Sequence, residues 1–427
     1  GEIDFAGDDT QTDVSRVISW ALAHTPADPK AVGAVGVSYG AGISLLAAEK
    51  DPRIKAVVAM SAWSDLGQSL YPDSTPSQQA VFSLFASGTT RRRLDGDIGR
   101  FATEFLDKQT IAAALSMAPL VPSRSAATGV AALNTNHPAV MIANDYQDSY
   151  FPPSQLVSFF DELTVPKRLR LSIGDHGGAE APGLAGRSAQ VWTDAAAWLD
   201  HYLRGAANGI QAQGAVQLED VKTGRMHSYP DWGSATGRAS TYYLGAANGD
   251  AAAGGLASTA ATGWSTRIEV GEKSTAESPP IQLGRGSQYR LAGGVRIAGI
   301  SRTAAAVWEG QSDSAQRLVV GSPTVHLTVT PSAASTTLIA YLYDVDASGS
   351  GTLMTYKPYS LVRATAGTPK GVDIALEPIA WTLPAGHRLS LVIDTVDWRY
   401  ESLNVPGSTA AFTSPRGDPA TLSVPIG

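Results

Sequence analysis

A serine flanked by glycines is the first feature of this sequence whose residue types and spacing could do chemistry. Gly36, Ser38 and Gly40 fill the pattern Gly-x-Ser-x-Gly, after a short apolar run and before a segment with helical spacing. At a strand-to-helix turn this pattern predicts a nucleophile elbow, whose strained central residue is lifted above the sheet edge. Glycine at both flanks is expected because side chains there would make the strand and the helix collide. Ser38 is therefore the candidate nucleophile, with the free amides of the next helix aimed at charge that develops beside it.

A serine nucleophile needs a histidine that takes its proton and an acid that orients that histidine. In an α/β-hydrolase sheet they follow in the order serine, acid, histidine, on loops after later strands. Asp145 and Asp148 follow the predicted strand at 138–143. His176 follows the predicted strand at 169–173. Asp148 is preferred as the acid because its loop closes into the following helix, whereas Asp145 could instead brace the turn through backbone hydrogen bonds.

The elements that position these side chains alternate between helix and strand. Apolar residues at helical spacing predict a first helix that ends before Pro26 and that Asp9 and Thr10 could cap. Apolar runs predict strands at 31–37 and Ile54–Met60, the second nearly continuous, as in a parallel strand covered on both faces. Helices between such strands indicate an α/β sheet with crossover connections, which is the expected setting of a nucleophile elbow.

The periodicity changes twice further along the chain. After Trp63, apolar and aromatic residues recur at spacings of three and four without a strand, which predicts a helical cap over the carboxyl edge of the sheet. Beyond a Gly/Ala/Gln linker at 205–215, short alternating segments predict an antiparallel β-sandwich of jelly-roll type. The predicted strands there include 325–329, 338–343, 372–376, 388–394 and 420–424. The predicted domains are an α/β-hydrolase core at 1–62 and 133–205, a helical cap at 63–132 and the β-sandwich at 215–427.

Composition and charge narrow the range of functions. Of the 427 residues 43% are hydrophobic and 17% charged, with a net charge of −7, so neither nucleic acid nor an anionic membrane is an expected partner. No apolar run is long enough for a transmembrane segment. The absence of cysteine excludes disulfides, thiolate metal sites and a cysteine nucleophile. No metal or organic cofactor is implied, and the Ala/Gly-rich, lysine-poor composition is compatible with a secreted or cell-envelope protein.

Several segments together carry a family resemblance. The elbow GVSYGAG is followed by a helical insertion, an acid loop and the histidine loop GDHGG, and the β domain contains LIAYLYDVDASGSGTL and LPAGHRLSLVIDTVDWRY. This combination resembles the cocaine esterase-like hydrolases, which are α/β-hydrolases with a C-terminal jelly roll and share a superfamily with the X-Pro dipeptidyl-peptidases. The resemblance extends over essentially the whole chain. It implies a serine hydrolase that acts on esters or amides through an acyl-enzyme.

The resemblance also implies roles for individual residues. Ser38 corresponds to the nucleophile, Asp148 to the acid and His176 to the base. The backbone N–H of Tyr39 corresponds to a donor of the oxyanion hole. The family fold begins with further strands, and one of the loops there carries a tyrosine that completes this hole, but nothing before Glu2 supplies either. We therefore expect an upstream N-terminal segment, which could remain associated as a separate chain.

The sequence leaves three functions open. Hydrolysis of a small carboxylic ester is preferred. A peptidase that removes X-Pro dipeptides or aminoacyl units would need a carboxylate for the substrate amine, and Glu180, Asp65 and Asp73 are the candidates. Asp175, next to the histidine, is expected to be solvated. The third function is a binding protein with a silent hydrolase core, and an acyltransferase that passes the acyl group to an alcohol is a further variant.

Large aromatic side chains could line an acyl or aromatic pocket where cap, sheet and sandwich meet, although each could instead belong to the core. The candidates are Trp63, Phe82, Phe85 and Trp398.

A segment of the β domain resembles the start of an EF-hand calcium loop. Asp344 and Asp346 have the required spacing, but the twelfth position is Thr355 and the flanking segments read as strands. We therefore expect a hairpin turn.

Overall fold

The computed structural model describes residues 3–89, 94, 96–108, 110–247, 252–276 and 294–427, with backbone alone at 85–89, 110 and 111. The chain divides into two units. The first takes in Gly1–Leu70, Gln79–Glu219 and Met226–Trp232, and the second Tyr71–Gln78, Asp220–Arg225 and Gly233–Gly427. The candidate nucleophile, the two candidate acids and the candidate base all belong to the first unit.

A six-stranded sheet, counted over the described residues, forms the centre of the first unit. Its strands follow one another in chain order: β1 Val32–Val37, β2 Ile54–Met60, β3 Ala139–Asp145, β4 Lys167–Ser172, β5 Val216–Glu219 and β6 Met226–Tyr229. The strands β1 to β5 are parallel, and β6 pairs antiparallel with β5. The predicted α/β sheet is confirmed. Because parallel strands end at the same edge, the loops after β1 to β4 lie side by side there.

The described part of the chain also forms α-helices. In chain order they are α1 Asp8–His24, α2 Tyr39–Lys50, α3 Leu66–Leu70, α4 Gln78–Thr89, α5 Gly96–Leu106, α6 Thr110–Met117, α7 Val130–Asn136, α8 Ser154–Glu162, α9 Ala181–Leu184, α10 Gln190–Arg204 and α11 Trp232–Ala235. The apolar face of α10 packs on β2 and β3 through Val191, Ala195 and Trp198. The Trp198 indole N–H also donates to the Ala139 carbonyl at 3.3 Å.

The start of α1 differs from the prediction. The helix begins at Asp8, with Gly7 in the N-cap position, so Asp9 and Thr10 lie inside its first turn. The carboxylate of Asp4 accepts the backbone N–H of Thr10 at 3.0 Å and also its hydroxyl. Asp4 therefore satisfies a free amide at the start of the helix, as a capping side chain does.

The insertion at 63–132 contains helices and turns and no strand in its described part, but it is interrupted. Tyr71–Gln78 belongs to the second unit. Within that unit Thr75 Oγ1 lies 2.9 Å from Ser360 Oγ, and the Glu401 N–H donates to the Pro76 carbonyl at 2.9 Å. Sequence periodicity could not reveal this detour, because it depends on contacts with residues far along the chain. That the insertion caps the sheet edge stays a prediction.

The second unit is rich in antiparallel strands. They are β7 Arg238–Leu244, β8 Gly254–Ala257, β9 Ser265–Glu269, β10 Val295–Arg296, β11 Ala306–Glu309, β12 Arg317–Gly321, β13 Thr324–Pro331, β14 Thr336–Val345, β15 Ser350–Leu361, β16 Lys370–Ala375, β17 Ile379–Leu383, β18 Arg388–Asp394, β19 Thr409–Thr413 and β20 Thr421–Ile426. Their pairings in the described part are antiparallel except for β8 with β11. The antiparallel β-rich class is confirmed, and jelly-roll connectivity stays a prediction.

The start of the β domain differs from the predicted residue 215. β5 and β6 lie beyond that point in the chain, yet they extend the first sheet from β4. The hairpin predicted in place of a calcium loop joins β14 to β15. Asp346 Oδ1 accepts the backbone N–H groups of Ser348 and Ser350, at 2.8 and 3.0 Å, so this carboxylate organises the turn.

Candidate active site

Ser38 joins β1 to α2 in a conformation that few L-residues adopt. Its φ of 56° lies in the left-handed region, and its N–H donates to the Met60 carbonyl at 2.8 Å. A Cβ at Gly36 would come within 2.1 Å of the Gly40 backbone, so glycine is required there. A Cβ at Gly40 would meet nothing within 4 Å. The prediction that both glycines are sterically required is therefore wrong at Gly40. The backbone of the first turn of α2 leaves no room for a side chain at Gly36, whereas the space around Gly40 is open.

Three side chains from the loops after β1, β3 and β4 form one hydrogen-bonded chain. Ser38 Oγ lies 2.7 Å from His176 Nε2. His176 Nδ1 lies 2.9 Å from Asp148 Oδ2 and 3.0 Å from Oδ1. Because a carboxylate can only accept, the proton is assigned to Nδ1, which leaves the lone pair of Nε2 facing the serine hydroxyl. Such an arrangement can take the proton of Ser38 and stabilise the positive charge that forms on the imidazole.

The carboxylate of Asp148 is held by the backbone of its own loop. The N–H groups of Tyr150 and Phe151 donate to its Oδ1 at 2.9 and 2.8 Å. Asp148 is buried. These bonds fix the carboxylate beside the imidazole and satisfy acceptor positions that burial would otherwise leave unpaired.

Asp145, the alternative acid, faces the backbone of the histidine loop. Its Oδ2 accepts the N–H groups of Gly178 at 2.9 Å and Ala179 at 3.2 Å. Burial raises the pKa of Asp145 well above its usual value, and the charges of Glu180 and then Asp148 raise it further. Asp145 thus lies where it braces the loop, and Asp148 lies next to the imidazole.

Asp175 is buried, so the expectation that it would be solvated is wrong. Its Oδ1 accepts the N–H of Ser149 at 2.9 Å and that of His176 at 2.7 Å. Asp175 of the histidine loop therefore binds the backbone of the acid loop, whereas Asp145, at the start of the acid loop, binds the backbone of the histidine loop. No local sequence pattern distinguishes this position from an exposed loop aspartate, because the burial arises from the packing of two loops far apart in sequence.

Two aromatic rings enclose the imidazole of His176. Tyr150 and Phe151 meet it edge to face, with ring centroids at 4.6 and 5.3 Å. Burial lowers the pKa of His176, but the negative charge of Asp148 and the hydrogen bond to it outweigh that effect, so the pKa is raised from 6.5. The sequence analysis did not identify these two aromatic residues. Their position directly after the acid is the signal that could have indicated them.

Tyr39 is the first residue of α2. Backbone N–H groups in the first turn of a helix lack helical partners, so that of Tyr39 can donate to a developing oxyanion. The phenol oxygen of Tyr39 accepts the N–H of Ala6 at 2.8 Å. Its ring meets Phe5 at a centroid distance of 5.6 Å. The chain before α1 therefore packs against the residue that follows the nucleophile.

The four aromatic candidates for a pocket have different surroundings. Trp63 is buried, donates its indole N–H to the Arg124 carbonyl at 2.6 Å, and would lie 2.4 Å from a Cβ at Gly42. It belongs to the core beside the elbow, which was the alternative for each aromatic. Phe82 is 59% exposed. The side chain of Phe85 lies outside the described residues, and Trp398, which belongs to the second unit, is 39% exposed.

The three carboxylates proposed for binding a substrate amine are also dispersed. Glu180 is completely buried. Asp65 Oδ1 accepts the Gln68 N–H at 3.0 Å, at the start of α3. Asp73 belongs to the second unit, where burial raises its pKa.

The first unit has a largely parallel sheet, a serine in a strained conformation before a helix, and a histidine within hydrogen-bond distance of that serine. These features define a serine hydrolase of the α/β-hydrolase class. Family models extend this assignment over most of the chain. The X-Pro dipeptidyl-peptidase (S15 family) model matches residues 1–178. The model of the X-Pro dipeptidyl-peptidase C-terminal non-catalytic domain matches residues 208–419. The chain belongs to this superfamily of serine hydrolases, as the resemblance of its motifs predicted.

Solved structures of low sequence identity share the fold. A CocE/NonD family hydrolase from Staphylococcus aureus has a TM-score of 0.75 at 13% identity, covering 100% of this chain and 78% of its own. An α-amino acid ester hydrolase has a TM-score of 0.74 at 14% identity, covering 98% and 80%. An aminopeptidase from the marine sediment archaeon Thaumarchaeota archaeon has a TM-score of 0.69 at 15% identity, covering 100% and 81%. No curated protein sequence matches the chain.

The described part of the chain shows neither a membrane-spanning helix nor a metal-binding cluster. None of its helices combines the length and the apolar character that a membrane crossing requires. Within the same residues, no group of three or more His, Cys, Asp or Glu side chains is arranged to hold a metal ion.

Proposed function

We propose that this chain hydrolyses carboxylic esters through an acyl-enzyme formed on Ser38. One observation carries the proposal: the hydrogen-bonded chain from Ser38 Oγ through His176 to Asp148, with distances of 2.7 and 2.9 Å. These distances fall within the range expected for a nucleophile, its general base and the acid that orients the base.

Acylation follows from this geometry. Ser38 Oγ attacks the ester carbonyl carbon while His176 Nε2 takes its proton, and the carbonyl π electrons move onto the oxygen. The Tyr39 N–H donates to that oxyanion, and Asp148 stabilises the imidazolium. The tetrahedral intermediate then expels the alkoxide, which takes the proton from Nε2. Water, deprotonated by the same nitrogen, then attacks the acyl carbon. The second tetrahedral intermediate breaks its bond to Ser38 Oγ, which takes the proton back from Nε2 as the carboxylic acid leaves.

The surroundings of two of the three candidate carboxylates, Glu180 and Asp65, support an ester substrate over a substrate with a free amine. Burial keeps Glu180 away from solvent, and Asp65 Oδ1 is engaged by the first turn of α3. A dipeptide or aminoacyl substrate would bring a positive charge that needs an accessible partner. An uncharged ester needs none.

A peptidase is the second candidate, and the family match favours it. The matching models are described by X-Pro dipeptidyl-peptidases, and one structural neighbour is an aminopeptidase. The same nucleophile, base and acid would cleave an amide, with His176 protonating the departing amine.

Fluorophosphonate labelling, with the modified peptide located by mass spectrometry, tests the nucleophile. We expect labelling of wild type at Ser38 and none of Ser38→Ala. Ser44→Ala is the matched control, because Ser44 lies on the same helix and donates to the Gly40 carbonyl at 2.8 Å. Labelling that persists in Ser38→Ala, or a wild type that does not react, would contradict the proposal.

Substrate profiling then separates the reaction types. Hydrolysis of p-nitrophenyl esters without cleavage of X-Pro anilides is the expected result. Preferential cleavage of the anilides would indicate the peptidase. Ester product formed when an alcohol is added would indicate acyl transfer, and ligand binding without any turnover would indicate a silent hydrolase core.

A further inference from the structure

A buried serine and a buried glutamate lie behind the histidine loop. Ser61 follows β2, with φ of 48°, and its N–H donates to the Ala143 carbonyl at 2.8 Å. Its Oγ lies 2.9 Å from the N–H of Gly177 and 3.3 Å from Glu180 Oε2. Both side chains are completely buried. A left-handed serine persists only where its surroundings hold it, which is typical of functional sites.

The direction of these hydrogen bonds follows from the groups themselves. The Gly177 N–H can only donate, so the Ser61 oxygen accepts there. The single hydroxyl proton of Ser61 is then free to be donated to Glu180. Gly177 directly follows His176 in the chain. Glu180 therefore orients the hydroxyl that holds the backbone beside the candidate base.

We propose that Glu180 is a positioning residue for His176, which it acts on through Ser61 and the Gly177 N–H. It contacts neither substrate nor the reacting atoms. This inference rests on the proposed function, because it assigns Glu180 a part in keeping His176 Nε2 aligned with Ser38. It also explains a carboxyl group that the acyl-enzyme mechanism does not use.

Several charged groups act on Glu180 from the elements around it. Its Oε1 has no hydrogen-bond partner among the described residues. Asp148 of the acid loop and His176 of its own loop act on it through charge, and its charge raises the pKa of Asp145 at the end of β3. Burial, the largest effect, raises the pKa of Glu180 to about 7. Near neutral pH the bond from Ser61 thus changes from neutral to charge-assisted as the proton leaves, and charge-assisted bonds are stronger.

Two substitutions separate the parts of this arrangement. Glu180→Gln keeps an acceptor for Ser61 but removes the charge, and Ser61→Ala removes the bridge. Glu49→Gln is the matched control, because burial raises the pKa of the Glu49 carboxyl as well and Glu49 lies near the opposite end of α2 from Ser38. The probe is the second-order rate of fluorophosphonate labelling at Ser38 between pH 5 and 9, which requires no knowledge of the substrate.

We expect Glu180→Gln and Ser61→Ala each to slow labelling at pH 8 roughly tenfold, because the first replaces a charge-assisted hydrogen bond by a weaker neutral one and the second removes the bond altogether. The double variant should be little slower than either single one, because both act in one relay. The acid limb of the Glu180→Gln profile should also move to lower pH, on the order of half a unit. The cause is that the Glu180 charge contributes to the raised pKa of His176.

Thermal unfolding distinguishes positioning from packing. The pKa of Glu180 is raised above its unfolded value of 4.5, so its ionisation removes stability as pH rises from about 4.5 through 7. Glu180→Gln should therefore be more stable than wild type at pH 8 while labelling more slowly, whereas a packing role would make it less stable. Ser61→Ala provides the labelling result should Glu180→Gln not fold.

Labelling of Glu180→Gln and Ser61→Ala at the wild-type rate with an unshifted acid limb would overturn the inference and leave the proposed function standing. A wild type that fails to label at any pH would overturn both. Slower labelling of Glu49→Gln would mean that loss of any carboxyl whose pKa is raised by burial has this effect, which also rejects the specific role of Glu180.

Discussion

Three aspartates at the end of β3 and in the two adjacent loops have different roles, because different donors hold their carboxyl groups. Asp148 accepts its own loop backbone and the imidazole, whereas Asp145 and Asp175 accept backbone N–H groups across the loops. Both carboxyl groups are buried, and these bonds pair oxygen atoms that burial would otherwise leave unsatisfied. Asp145 and Asp175 therefore fix the acid loop and the histidine loop relative to each other.

Replacement of Asp148 tests its role as the acid. We expect Asp148→Asn to lower kcat for a p-nitrophenyl ester by about 10³- to 10⁴-fold, because an amide can stabilise the wrong imidazole tautomer. Asp161→Asn, on the outer part of α8, is the control and should keep wild-type turnover. Steady-state kinetics measures both. Near wild-type kcat in Asp148→Asn would reject Asp148 as the acid.

The ionisation of His176 predicts a pH dependence. The base must be neutral to take the serine proton, so kcat/KM should fall as pH decreases through the His176 pKa. Asp148 raises that pKa from 6.5 despite burial, so the half-maximal point of the acid limb should lie above pH 6.5. A pH series of kcat/KM measures it, and an acid limb centred well below 6.5 would contradict this prediction.

At the scale of elements, the elbow depends on a close approach of strand and helix. A Cβ at Gly36 would overlap the backbone of the first turn of α2, whereas one at Gly40 would point into open space. We expect Gly36→Ala to abolish folding or labelling at Ser38. Gly40→Ala should fold with nearly unchanged thermal stability, since alanine also favours a helix. Circular dichroism melts measure both, and equal effects of the two substitutions would rule out this one-sided crowding.

A buried ion pair joins β4, which leads into the histidine loop, to α10. Arg170 Nη1 lies 2.8 Å from Asp194 Oδ2, and both side chains are 8% exposed. Removal of one partner leaves an uncompensated buried charge, so Asp194→Ala should lower the free energy of unfolding by about 3–5 kcal/mol. Asp200→Ala, which breaks an exposed pair with Arg204 on the same helix, should cost at most ~1 kcal/mol. Chemical denaturation measures both, and similar values for the two would contradict the argument.

At the scale of the whole molecule, the second unit contains a histidine that links separate segments. His326 of β13 lies 2.7 Å from Asp373 of β16 and 2.8 Å from Asp418, which precedes β20. The pKa of His326 is raised from 6.5, because hydrogen bonds to both aspartates and their charges outweigh burial.

A raised histidine pKa predicts stability that is fully present below pH 6.5 and lost as pH rises through the folded value. Hydrogen exchange of β13 and β16 should therefore become faster, relative to the intrinsic rates, between pH 6 and 9. His326→Gln should remove this dependence. A variant with the same pH dependence as wild type would show that other groups cause it.

The sequence by itself determined the elements and the order of the chemical groups. Gly36 and Ser38 form a local pattern, the segment Ile54–Met60 is a nearly continuous apolar run, and the second unit shows short alternating segments between turn residues. Neighbouring residues therefore suffice to predict the elbow, the α/β sheet and the antiparallel class of the second unit. Local spacing also limited the candidates for the acid to two aspartates, Asp145 and Asp148, which lie three residues apart in the chain.

Only the tertiary structure decided which groups meet. It places Asp148 rather than Asp145 on the imidazole, buries Asp175 and Glu180, and adds β5 and β6 to the first sheet beyond the predicted boundary. Each of these outcomes depends on contacts between residues far apart in the chain. Periodicity and turn propensity describe a residue and its neighbours, whereas burial and pairing are properties of the packed molecule.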